Sequence, residues 1–195
     1  MMPISSFEEY KKLMLESSKS KNFVSCILFV NADRKSQTLV NQILENIQHL
    51  DRRSGELITF FMPGYYQEVL TDKNYFRYFE VSSFDTFMDE LEKISSWRYS
   101  EETEMLFLNM VDGEFDFSKV YDYPLETMIR EGEIASFEAL FRELRCSLEK
   151  YGDLGMGERA LIKLSSLFFD LLVKKFPSVK KCKNRGMFLP RNYKI

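Results

Sequence analysis

Phe23-Val24-Ser25-Cys26-Ile27-Leu28-Phe29-Val30 is a nearly unbroken apolar run rich in β-branched and aromatic residues. A strand covered on one face alternates apolar and polar positions, so a run without that alternation predicts a strand buried on both faces. Two further runs have the same character, Leu57–Met62 (LITFFM) and Met105–Val111 (MLFLNMV). Between them the apolar period changes. Leu39, Val40, Ile43, Leu44, Ile47 and Leu50 fall on one side of a helix, and so do Phe84, Phe87, Met88, Leu91 and Ile94. Buried strands alternating with amphipathic helices predict an α/β protein. The expected architecture is a central, mostly parallel sheet of four to five strands with helices on both faces and a helical C-terminal third. The three strong runs are expected side by side in the sheet interior.

The weaker signals fill in the rest. Residues 5–20 read as a polar first helix, with Ser5 or Ser6 ahead of Glu8 and Glu9 at its start. Asp33 is placed to cap the second helix, and Arg53-Ser54-Gly55 to stop it. Pro63-Gly64 predicts a turn. Phe76–Val81 reads as a weak edge strand and Val120–Tyr123 as a short strand before Pro124. Beyond it the stripes are helical: Phe137, Leu140, Phe141, Leu144 and Leu148, then residues 157–175 with Leu161, Leu164, Phe168, Leu171 and Leu172.

A chain of 195 residues suits one domain. Its 18 Phe, 10 Tyr and single Trp supply enough apolar area for a core without disulfides. Cys26, Cys146 and Cys182 are far apart and form no CxxC, which predicts free thiols in a reducing compartment and a cytoplasmic location. The N-terminus MMPISSFEEYKK lacks the basic and apolar regions of a signal peptide. The longest apolar run, Leu161–Val173, is interrupted by Lys163 and Asp170 and is too short to span a bilayer, so no membrane is expected. Charge is unevenly placed. Residues 174–195 carry eight Lys and Arg and no acid, so against an overall −3 the first 173 residues carry −11. The expected division is a single α/β domain over 1–176 and a basic C-terminal tail over 177–195.

In an open parallel sheet, ligands bind outside the carboxyl ends of the strands. Those ends carry Asn31, Asp33 and Arg34 after the first run, Pro63, Gly64 and Tyr65 after the second, and Asp112, Glu114 and Asp116 after the third. Carboxylates at alternate loop positions suit a hard divalent cation, so Asp33, Asp112, Glu114 and Asp116 are the candidate metal ligands of a phosphoester-processing enzyme. The competing reading of 112–116 is a solvated acidic turn, and no histidine completes the set. The turn Asn31-Ala32-Asp33-Arg34-Lys35-Ser36 occupies the place of a phosphate loop but has no glycine to let backbone amides close in. His49 is the only histidine, and a place near a helix C-terminus satisfies it without catalysis. Cys26 is expected buried and inert. Cys182, between Lys181 and Lys183, is expected to be the most reactive thiol. No cofactor is expected. The tail residues Lys180, Lys181, Lys183, Arg185, Arg191 and Lys194, interleaved with Phe176, Phe188 and Tyr193, are the candidate contacts for a polyanion or an acidic partner.

The strand–helix–strand opening resembles the thioredoxin-like fold in outline over roughly the first 110 residues. The positions of its redox motif read Asp33-Arg34-Lys35-Ser36, and no proline precedes Met105, so the resemblance implies topology and no thiol chemistry. Arg53-Ser54-Gly55, Phe61-Met62-Pro63-Gly64-Tyr65 and Tyr99-Ser100-Glu101-Glu102-Thr103-Glu104 together resemble a group of bacterial proteins encoded in multi-gene anti-phage clusters. That resemblance implies an accessory or sensing protein and transfers no catalytic residue. With the aromatics of residues 61–79 read as exposed, the leading expectation is a non-catalytic accessory or adaptor subunit whose partner is another protein. Nucleic-acid binding and self-association remain open alternatives beside the metal-dependent enzyme.

Overall fold

The computed structural model describes residues 2–18, 23–35, 37–54, 58–66, 69, 77–111, 114–140, 142, 146 and 180–182. In chain order the elements are β1 (Met2–Ile4), α1 (Phe7–Ser18), β2 (Phe23–Phe29), α2 (Gln37–Ser54), β3 (Ile58–Pro63), α3 (Val81–Ile94), β4 (Glu104–Val111), β5 (Glu114–Pro124), α4 (Leu125–Arg130) and β6 (Lys180–Cys182). The six described strands form one sheet in the order β1-β3-β2-β4-β5-β6. The three strong apolar runs are β2, β3 and β4, and they lie side by side in its interior as expected.

The class is α/β, but the sheet is mixed, not mostly parallel. β3 runs parallel to β1 and β2. β4 runs antiparallel to β2, β5 to β4, and β6 to β5. A strand buried on both faces reads the same in either direction, which is why apolar character alone could not settle polarity. The connection between β4 and β5 is only two residues long, too short for the crossover that a parallel pair requires.

Successive side chains of a strand face opposite sides, and each side here has its own core. Cys26, Leu28, Val30, Phe60, Met62, Met105 and Phe107 pack with Val40, Ile43 and Leu44 of α2 and with Leu125 and Met128 of α4. Ile27, Phe29, Phe61, Leu106 and Leu108 pack with Tyr10 and Met14 of α1 and with Phe84, Phe87 and Leu91 of α3. The second core is built largely from rings. Tyr10 stands edge-on to Phe61 with centroids 4.9 Å apart, and Phe7 edge-on to Phe87 at 5.3 Å. The buried Tyr10 and Ser25 hydroxyls bond at 2.7 Å, tying α1 to β2. At the start of α1 the Ser6 Oγ accepts from the Glu9 N–H at 3.1 Å, while the Glu9 carboxylate accepts from the Ser5 N–H at 2.7 Å. These bonds occupy donors that the helix leaves open.

Several expectations need correction. Asp33 does not cap α2. It sits exposed in a 3-10 turn, Ala32–Arg34, whose cap is Asn31, with Asn31 Oδ1 accepting from the Asp33 N–H at 3.0 Å. Phe76–Val81 is not a strand in its described part: Phe79 makes a single bridge to Tyr65, and Val81 opens α3, because Phe84 and Phe87 bury best at helical spacing. Val120–Tyr123 is the end of the much longer β5. Of the aromatics of 61–79, Tyr75 and Phe76 lie outside the described residues, and the described ones are mostly packed: Phe61 and Tyr65 are buried, Tyr78 and Phe79 are partly buried against the core, and Tyr66 is exposed at 41%. Lys180–Cys182, within the segment read as a tail, is the sixth strand of the sheet. Residues 137–140 are helical and Leu140 is buried; the stripe over 157–175 lies outside the described residues.

Candidate functional site at one end of the sheet

Antiparallel pairing decides which loops meet. Phe29 at the end of β2 lies opposite Glu104 at the start of β4, and Glu104 lies opposite Pro124 at the end of β5. The turn after β2, the loop before β4 and the start of α4 therefore share one end of the sheet. The end of β4 is at the other end, where Phe23 pairs with Met110.

That register separates the candidate metal ligands. Glu114 and Asp116 lie opposite Val111 and Asn109, at the Phe23 end, whereas Asp33 follows Phe29. Six residues of strand, about 20 Å at ~3.3 Å per residue, lie between the two levels. Asp112 lies outside the described residues. Among the described residues, no group of three or more His, Cys, Asp or Glu side chains is placed to hold a metal. His49 is exposed on α2, and Cys26 is fully buried, where desolvation pushes its thiol well up. Of the candidate basic contacts, Lys180 and Lys181 are on β6, while Lys183, Arg185, Arg191 and Lys194 lie outside the described residues.

What the end of the sheet does bring together is a set of paired carboxylates. Glu102 and Glu126 reach across between two loops. The Glu102 carboxylate accepts from the Thr127 N–H at 2.8 Å and the Thr127 hydroxyl at 2.6 Å. Glu126 accepts from the Thr103 N–H at 3.1 Å and the Thr103 hydroxyl at 3.0 Å, and pairs with Lys35 Nζ at 2.6 Å. The two clasps are reciprocal, so the loop before β4 and the first turn of α4 each cap the other. Arg130 extends the first clasp with a bond to the Thr127 hydroxyl at 2.7 Å. Outside them, the exposed Arg34 and Glu101 pair at 2.7 Å, and Glu101 holds a left-handed backbone with φ 65°.

Beneath the clasps lies Glu104, fully buried. Its carboxylate accepts from the Trp97 indole N–H at 3.0 Å, the Ser100 N–H at 2.9 Å and the Ser100 hydroxyl. Trp97 is stacked on Phe29 at 4.5 Å, so the indole joins the ring core to the loop. Desolvation, with the Glu104 charge nearby, pushes the Tyr99 hydroxyl up.

None of Glu101, Glu102, Glu104 or Glu126 was among the candidate site residues. The signal was present: Ser100-Glu101-Glu102-Thr103-Glu104 is a dense polar run abutting a strand. Its meaning depends on which loop faces it, and that follows from strand direction. Compared with known proteins, the chain matches no family model, no curated protein and no solved structure.

The clasps carry a pH prediction. Burial alone raises the Glu126 pKa, but hydrogen bonds from Lys35 and Thr103 outweigh it and hold the carboxyl below its ordinary value. A carboxylate depressed in the folded state contributes stability above its unfolded pKa of about 4.3, and that contribution is lost as pH falls through the folded value. Glu126→Gln is expected to lower stability near neutrality by about 0.5–1.5 kcal/mol, the pair being partly solvated. The same substitution flattens the acid limb, so urea midpoints at pH 7 and pH 3 should converge. Equal losses at both pH values would count against the ionised clasp.

Proposed function

We propose that this protein is a non-catalytic accessory or adaptor subunit of a larger protein assembly, of the kind found in bacterial anti-phage clusters, and that it works in the cytoplasm. One observation carries the reading. At the sheet end where strand termini converge, Glu102, Glu104 and Glu126 are each engaged by two or more protein donors. A general acid or base needs a carboxyl that can exchange its proton with substrate near working pH. Carboxylates committed to cross-loop clasps instead build a rigid platform, and rigid platforms suit partner recognition. The strand–helix–strand opening, present as parallel β2, α2 and β3, supports the thioredoxin-like outline as a topology. The apolar stripes at Phe137, Leu140, Phe141, Leu144 and Leu148 support a helical C-terminal third.

The test is affinity capture of the tagged full chain, expressed from its own locus, followed by mass spectrometry and native mass measurement. A protein subunit recovered at fixed stoichiometry is the expected result. Steady turnover of ATP, GTP or DNA by the purified chain with Mg²⁺ or Mn²⁺, abolished by Asp112→Ala or Asp116→Ala, would falsify the reading and favour the metal-dependent enzyme.

A further inference from the structure

The two described edges of the sheet are unlike the four strands between them. β1 and β6 are three residues each. β5, eleven residues long, is paired along its inner side by β4 over most of its length, and among the described residues its outer side is paired by β6 at Val120, Tyr121 and Asp122. Three rungs of ladder are a marginal attachment, since even a two-stranded hairpin is weakly stable alone. A sheet edge is also a ready template for another strand, because its N–H and C=O groups face outward.

The rungs are selective. β6 reads Lys180-Lys181-Cys182, and its register sets Lys180 opposite Asp122, which is 2% exposed. A carboxylate buried to that degree is costly without a cation or donors close by. Oppositely charged residues directly across an antiparallel pair stabilise it, and like charges there destabilise it. The segment that supplies β6 is the basic end of a chain whose remaining residues carry −11. Charge complementarity thus favours a basic strand on this edge over an acidic or neutral one.

We propose that the outer edge of β5 at Val120–Asp122 is a docking site for an extended basic segment, filled in the free protein by the chain's own Lys180–Cys182 and surrendered to a basic strand of a partner protein. β6 is then an internal occupant of an interaction site, which keeps the edge closed until a better strand arrives. The mode is strand addition: main-chain bonds supply affinity, and the residue opposite Asp122 supplies specificity. The proposal rests on the accessory-subunit reading for the existence of the partner, but not for the existence of the site.

The experiment uses the full chain and a labelled synthetic peptide with the sequence of residues 178–184, its cysteine replaced by serine. Because β6 competes for the same edge, apparent affinity scales with the fraction of molecules in which the edge is open. Lys180→Glu in the protein opposes like charges across the ladder and should tighten peptide binding at least threefold. A peptide carrying glutamate at the position of Lys180 should bind at least tenfold more weakly, and Asp122→Asn, which removes the charge that strap and peptide both face, should erase most of that difference between the two peptides. Locking the strap gives the converse. Directly opposed residues in an antiparallel pair have Cα atoms about 4.5–5.5 Å apart, within disulfide range. Val120→Cys, in a background with the exposed Cys146 replaced by serine, should therefore crosslink to Cys182 on mild oxidation. The oxidised protein should lose peptide binding and regain it on reduction. Lys180→Glu alters only the strap, so it keeps the test decisive if Val120→Cys fails to fold. Peptide binding unchanged by Lys180→Glu, or no binding to any form, would overturn the proposal. These assays use purified components, so they can succeed where affinity capture finds no partner, and fail where it finds one.

Discussion

Trp97→Ala is expected to lower unfolding free energy by about 3–5 kcal/mol, the range for truncating a buried large aromatic. Trp97 is 1% exposed and packs in the ring core, stacked on Phe29 at 4.5 Å and within 6.1 Å of Tyr99. Its loss opens a cavity between β2 and the loop before β4. It also removes the indole N–H from Glu104, so that a buried carboxylate loses one of its donors. The two contributions separate by choice of substitution. Trp97→Phe keeps most of the packing and deletes the donor, with an expected loss of about 1–3 kcal/mol. Glu104→Gln keeps the shape but turns an amide donor toward either the indole or the Ser100 N–H, with a similar expected loss. The double variant should lose less than the sum of the two, because with the indole gone the amide donor can turn to the vacated side without opposing another N–H. Urea unfolding followed by far-ultraviolet circular dichroism is the appropriate readout, since Trp97 is the chain's only tryptophan and tryptophan fluorescence disappears with it. Strict additivity would show that the indole and carboxylate do not cooperate, and the loop's tie to the core would have to come from packing alone.

The location of this prediction shows what the sequence could and could not convey. The interior strands were legible because FVSCILFV, LITFFM and MLFLNMV cannot be placed at a solvated edge without exposing a continuous apolar surface. The helical stripes on α2 and α3 were legible from their period. Strand direction was not legible from apolar character, and the candidate site inherited that ambiguity. With every strand taken as parallel, Asp33 and the 112–116 carboxylates fall at one end of the sheet. With β4 reversed, Glu114 and Asp116 fall at the end opposite Asp33. Asp112-Gly113 between two apolar runs was the available clue, since an Asp-Gly pair flanked by strands signals a tight hairpin. Two residues between β4 and β5 is what such a hairpin requires. The clasps were invisible for a related reason. Glu102 and Thr127 are 25 residues apart, as Thr103 and Glu126 are 23 apart, and no local pattern links them. β6 was obscured by its charge: Lys-Lys-Cys has no strand signature, and only the register against Asp122 gives its first lysine a place.

Gly64→Ala should be the more damaging of the two glycine-to-alanine changes at described turns, and Gly132→Ala provides its control. Both glycines have left-handed backbones, φ 78° and φ 72°. For an L-residue that conformation costs roughly 1–2 kcal/mol. Gly132 ends α4 in the usual way for a helix closed by glycine: its N–H donates to the Ile129 carbonyl at 3.0 Å, and the Glu133 N–H donates to the Met128 carbonyl at 2.9 Å. A Cβ there meets nothing within 4 Å, so only the backbone term applies. Gly64 sits where three elements converge. Its N–H donates to the carbonyl of Ile4, the last residue of β1, at 2.9 Å, and its carbonyl accepts from the Glu80 N–H, just ahead of α3, at 2.8 Å. A Cβ at Gly64 would lie 2.8 Å from Phe84 Cβ, 3.0 Å from Phe79 Cε2 and 3.1 Å from the Glu80 carbonyl oxygen. Two of those neighbours cannot swing aside, because one is backbone and the other is the Cβ of a fully buried ring on α3. Forced overpacking adds about 1–3 kcal/mol to the backbone term. The expected totals are therefore about 2–5 kcal/mol for Gly64→Ala and about 1–2 kcal/mol for Gly132→Ala. At ~2–4 °C per kcal/mol for a chain of this size, the two variants should be clearly resolved in a thermal melt. Comparable losses for both would mean that α3 can slide away from the β3 turn, and that the Gly64 bonds to Ile4 and Glu80 do not fix its position.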